Sequence, residues 1–181
     1  MRFRLAMSLA VACTLKRFRK DRSGTAAIEF AMIAVPFLMM IFAIIETALI
    51  FFATQVLETA TQDASRLIMT GQAQMANMSA SDFKNNVCAR VSALIACSGI
   101  DVEVKSFATF GSVSMSNPIS GGTYTSPTGY TPGGAGQIVV VRIFYQWPLF
   151  VTKLGFNIGD INGGKRLLAG VAAFRNEPGP F

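Results

Sequence analysis

The chain contains no histidine. That removes imidazole as general base, proton shuttle and metal ligand, and with it the usual parts of hydrolase and zinc chemistry. Cysteine is scarce: Cys13, Cys88 and Cys97 stand in no metal-ligand spacing, so a thiolate metal centre is not expected. No nucleophile motif or phosphate-cradling glycine loop takes their place, and neither an enzyme nor a cofactor is expected. Charge is also low. Only 14% of the residues are charged and 51% are hydrophobic, against about 25% charged in average soluble domains.

The formal net charge of +6 invites a nucleic-acid reading, but its distribution excludes that as the leading one. Arg2, Arg4, Lys16, Arg17, Arg19, Lys20 and Arg22, opposed by Asp21 alone, account for all of it, and bases and acids balance from Thr25 onward. The charge is therefore a topology signal. A basic flank before an apolar run stays in the cytoplasm, whereas the first base after the run is Arg66, preceded by Glu58 and Asp63. The N-terminus is expected inside and the C-terminal two thirds outside, with a lipid bilayer as partner and no nucleic acid.

Residues 1–24 read as a cytoplasmic basic leader. Leu5 to Leu15 is apolar but shorter than the roughly 17 residues a spanning helix needs. It has the length of a signal-peptide core, and Ala10-Val11-Ala12-Cys13 loosely matches a lipoprotein cleavage site. A working signal or lipobox and a merely long leader both stay open. Phe30 to Ile45 carries no charge, and Thr47 to Ala53 is nearly all apolar. A helix over 25–53 spans roughly 43 Å at about 1.5 Å per residue, enough for a transmembrane segment with some tilt. Pro36 predicts a kink inside it.

At 181 residues there is room for one modest domain beyond the membrane, expected over 54–181. Val56, Leu57, Ala60, Ala64, Leu67 and Ile68 recur at helical spacing, so the membrane helix should continue as an amphipathic one and stop near Gly71. Ser79 and Asp82 offer a capping box for a second helix over 79–95. Ile100, Val102 and Val104 alternate with Asp101, Glu103 and Lys105, a strand with one wet face. The Gly/Ser/Thr/Pro-rich stretch 108–136 reads as a flexible surface loop. IVVVRIFYQW, Ile138 to Trp147, is the strongest strand signal, ended by Pro148. Arg166 to Phe174 fits a strand or a helix. The fold class expected is α+β: a long N-terminal helix, a short second helix and a small antiparallel sheet.

Gly24, followed five residues later by Glu29 at the mouth of this apolar run, resembles the processing site of type IV prepilins. With the wider text AAIEFAMIAVPFLMMIFAIIE, the chain is similar to the TadE-like minor pilins, or pseudopilins, of the tight-adherence (Tad, Flp pilus) machinery. The likeness is firmest over Arg19 to Ala73 and looser at Trp147 to Phe150 and Phe174-Arg175-Asn176. Phe30 replaces the Tyr that follows the Glu in the major Flp pilin, which suits a minor pilin. The resemblance implies cleavage between Gly24 and Thr25 by a prepilin peptidase, a membrane aspartyl protease. A residue without Cβ lets its carboxylates approach the bond. It also implies that Glu29 registers one subunit against the next, and it names a major pilin and a sister minor pilin as partners. Physically, the Thr25 ammonium and the Glu29 carboxylate would otherwise be isolated charges in or near hydrocarbon, so pairing relieves both. Taken alone, a Gly and a Glu at a helix start are also ordinary, since Glu there favours the helix dipole.

Glu46 is a second carboxylate in the apolar run, and an intramembrane contact or interfacial snorkelling would each account for it. Cys88 and Cys97 lie in the exported part, where disulfides persist; two buried thiols are the alternative. The reading opposed to a pilus protein is an exported lipoprotein or signal-anchored envelope binding protein.

Overall fold

The computed structural model describes residues 24–151 and 157–179. The basic leader and Cys13 lie outside the described residues. The chain divides into two compact units, Met1–Ile41 and Phe42–Phe181.

Helix α1 runs Thr25–Met69 as a single helix that continues through Pro36. It is long and apolar enough to cross a bilayer, with a mean hydropathy of 2.5 over its most apolar window. In the first unit the described residues are Gly24 and the helical stretch from Thr25 to Ile41, where Ile28, Phe30, Met32 and Ile33 are all exposed. The helix ends where the sequence predicts. Gly71 adopts a left-handed φ of 77° and its N–H donates to the Ile68 carbonyl at 3.0 Å, the conformation that favours glycine past a helix end.

In the second unit, α1 contributes a stripe of buried residues: Glu46, Ile50, Ala53, Leu57, Ala60, Thr61, Ala64, Ser65 and Ile68. The spacing of three and four is that of one helical face, and its small residues let the helix lie close to the sheet. After a short α2 (Gln72–Met75) comes α3 (Ala80–Val91). Ser79 caps it: its Oγ accepts from the Asp82 N–H at 3.2 Å, and Asp82 Oδ2 accepts from the Ser79 N–H at 3.0 Å. The Ser79 hydroxyl also donates to Asp82 Oδ2 at 2.6 Å, and this bond, followed by the one from the Ser79 N–H, holds the Asp82 carboxyl below its ordinary value. The helix is shorter than the expected 79–95. The N–H groups of Leu94 and Ile95 both close on the Val91 carbonyl, tightening the last turn, while Ile95 stays buried and so preserves the apolar period beyond the helix.

Strands β1 (Ile100–Phe107), β4 (Ile138–Pro148) and β5 (Lys165–Arg175) form an antiparallel sheet in the order β1-β4-β5. Ile100 pairs with Tyr145 and Phe107 with Ile138; Ile138 pairs with Arg175 and Pro148 with Lys165. The open choice at 166–174 is thus a strand. Its Gly170 faces α1, where an added Cβ would collide with Thr61 Oγ1 and stand 3.0 Å from the Leu57 carbonyl oxygen. Val104, Val139, Val141, Ile143 and Leu168 join Leu57, Ala64, Phe83 and Val87 in one core.

Two expectations need correction here. The second face of β1 is only partly wet: Asp101 and Lys105 are half-buried, and Glu103 between them is 1% exposed, held by Lys105 and Arg142. Nor is 108–136 without elements. It holds a 3-10 turn at Phe110–Ser112 and a two-stranded ribbon of β2 (Ile119–Ser120) and β3 (Thr123–Tyr124). Gly121 and Gly122, with φ of 55° and 77°, make its tight turn, where both central residues need positive φ. Tyr130 bridges to Val104 beside β1.

Candidate functional site

The residues singled out from the sequence form three groups. At the start of α1, the Gly24 carbonyl accepts from the N–H of Ala27 and Ile28 at 3.1 and 3.2 Å, so Gly24 initiates the helix. Among the described residues, a Cβ there would meet nothing within 4 Å. Thr25 is the first helical residue, and Glu29 lies one turn further on, exposed. The first turn of α1 contains no acidic residue, so Glu29 stands beyond the turn in which the helix dipole acts most strongly.

Glu46 is buried at 7% exposure and engaged within its own chain. Its Oε1 accepts from the Phe150 N–H and its Oε2 from the Val151 N–H at 3.0 Å. The carboxylate therefore caps the chain as it leaves β4, more than a hundred residues away in sequence. Beside it lies a cleft of about 270 Å³ lined by Phe42, Ile45, Leu49, Trp147, Phe150 and Val151. The sequence marks Glu46 as needing donors but contains no local sign of where they come from.

Cys88 and Cys97 are joined, with Cα atoms 5.5 Å apart. The bond ties α3 to the turn that leads into β1.

On the far face of the sheet, Arg142 donates to Glu103 Oε2 through Nε at 2.8 Å and also through Nη2, while Lys105 Nζ stands 2.6 Å from Oε1. Burial pushes the Glu103 carboxyl up, but the bonds from Lys105 and Arg142 outweigh it, and its pKa is lowered overall. Arg142 Nη1 also reaches the Ser116 carbonyl at 2.9 Å, and the Tyr124 hydroxyl donates to Asp101 at 2.8 Å. Burial and that aspartate raise the Tyr124 pKa; burial takes Tyr130, against the Phe83 ring, up to about 12. These contacts fasten the glycine-rich stretch to the sheet. Near the other end, the Gln74 and Asn176 amides both donate to the Pro132 carbonyl, at 3.1 and 3.0 Å. The sequence alone gives no sign of these long-range bonds. Among the described residues, no three His, Cys, Asp or Glu side chains gather where they could hold a metal.

The long apolar helix opening at Gly24 is the feature that known proteins share. Residues 24–66 match the family model described as TadE-like protein. The TadE-like segment thus begins at the glycine singled out above and covers α1 as far as Arg66; it includes none of the sheet. No curated protein and no solved structure matches the chain.

Proposed function

We propose that this chain is a minor pilin or pseudopilin-like structural protein for the assembly of Flp-type (Tad) pili. The observation that carries the reading is the TadE-like match at 24–66, which coincides with a helix of membrane-spanning length behind a basic leader.

In this reading a prepilin peptidase cuts after Gly24. The support for it is that the TadE-like match begins at this glycine, directly ahead of the apolar helix. Thr25 becomes the mature N-terminus, and its ammonium pairs with Glu29 of the same subunit or of a neighbour. The stretch 25–53 anchors the protein in the inner membrane with the N-terminus in the cytoplasm and 54–181 in the periplasm. The partners are the peptidase, a major pilin, a sister minor pilin and the bilayer. The role is structural, with no catalytic residue.

The test is the mass of the mature chain in cells with an active prepilin peptidase. Wild type should begin at Thr25, and Gly24→Leu should keep residues 1–24. Normal maturation of Gly24→Leu would overturn the cleavage, and a chain lipidated at Cys13 would identify an exported lipoprotein instead.

A further inference from the structure

Exposed apolar side chains on α1 continue well into the second unit. Leu49 is exposed, and Phe51 and Phe52 are 70% and 60% exposed. Glu46, Ile50 and Ala53 on the same stretch are buried against the fold. This part of the helix therefore carries packed protein on one side and bare phenylalanine on the other. Glu46 lies six residues before Phe52, about 9 Å along a helix axis. A hydrocarbon layer deep enough to cover Phe51 and Phe52 also reaches the level of Glu46, and with it the segment Trp147–Val151 that Glu46 holds.

That segment is suited to such surroundings. Leu149 and Val151 are buried, while Phe150 between them is 74% exposed. Irregular backbone in hydrocarbon is normally excluded because its N–H groups lose their water. Here none is left over: Pro148 has no N–H, Leu149 donates to the Gly164 carbonyl at 3.0 Å, and Phe150 and Val151 donate to the two oxygens of Glu46. The same bonds give the carboxylate the partners it needs away from water. The adjoining cleft of about 270 Å³ is apolar apart from Glu46, with Phe42, Ile45 and Leu49 on one wall and Trp147 and Phe150 on the other.

We propose that Trp147–Val151 is a membrane-dipping loop that enters the periplasmic leaflet of the bilayer spanned by α1. Phe150 and the cleft contact lipid acyl chains, and Glu46 is the internal cap that makes the entry possible. The inference rests on the reading of α1 as a membrane anchor.

Trp147 is the chain's only tryptophan, so its fluorescence reports on this loop. The full-length protein is placed in phosphatidylcholine vesicles brominated near the head-group end of the acyl chains or, separately, near their methyl ends. Trp147 emission should fall strongly with the shallow bromines and less with the deep ones. Phe150→Asp and Glu46→Ala should each lose most of that quenching, with Cys88 and Cys97 still protected from thiol reagents as a sign of a folded domain. Wild-type protein that resists carbonate extraction yet shows no quenching at either depth would overturn the loop while leaving the anchor intact; the cleft would then face water or another subunit. Wild-type protein extracted by carbonate would overturn the anchor and the loop with it. Wild-type quenching in folded Glu46→Ala would remove Glu46 as the cap.

Discussion

Gly170 is the residue through which β5 lies against α1. Its missing side chain leaves room for Thr61, whose Oγ1 donates back to the Leu57 carbonyl at 2.7 Å. Adding a methyl forces the helix from the sheet, and overpacking of this kind costs about 1–3 kcal/mol. Gly170→Ala should lower the unfolding free energy of the full chain in detergent by that amount. Gly111→Ala, where a methyl would meet nothing within 4 Å among the described residues, should change little. Glu103 carries a pH dependence. Its folded pKa lies below the ordinary 4.5, so the ionised form is favoured by folding and its stabilisation is complete above the unfolded value. That stabilisation should be lost as pH falls from about 4.5 through the depressed folded pKa. In Glu103→Gln the acid limb of stability against pH should be shallower over that interval, measured by denaturant titration at each pH.

At the scale of elements, the Cys88–Cys97 bond closes a loop of about ten residues and stabilises by roughly 2.7 kcal/mol in the chain-entropy model. Thiol labelling of the unfolded chain should require reductant at both positions, and reduction should lower the stability of the domain. Ready labelling without reductant would contradict the bond. The elements also show what a sequence can reveal. α1, the Ser79 cap and β4 rest on local patterns: an uncharged run, a capping box, and a β-branched stretch before Pro148. What escaped depends on partners far along the chain. β5 was ambiguous because Gly170 spoils both strand and helix patterns, and its reason is Thr61 on another element. The face of β1 bearing Glu103 seemed wet because its cation, Arg142, lies 39 residues away. Glu46 stood out as a carboxylate in an apolar run, but its donors follow a proline in a segment more than a hundred residues later. Gly24 and Glu29 stand out by their spacing alone, and the proposed processing site rests on that linear pattern rather than on any packing partner.

At the scale of the whole molecule, the basic leader and the neutral remainder predict one topology. A periplasmic reporter fused after Ile100 should be active, and one placed before Thr25 should not. In the proposed function, Glu29 links that topology to assembly. Once the chain begins at Thr25, an ammonium and a carboxylate lie four residues apart on one helical face, and each can also serve a neighbouring subunit. The position of Glu29 past the first turn leaves the helix dipole a contribution of at most a few tenths of a kcal/mol. Glu29→Gln removes a charge from lipid and should leave insertion and maturation unharmed. The most direct measurement is therefore the number of pili on cells in which correctly matured Glu29→Gln protein replaces wild type at normal levels. Loss of pili is the predicted result; wild-type pili in those cells would contradict an assembly role for Glu29.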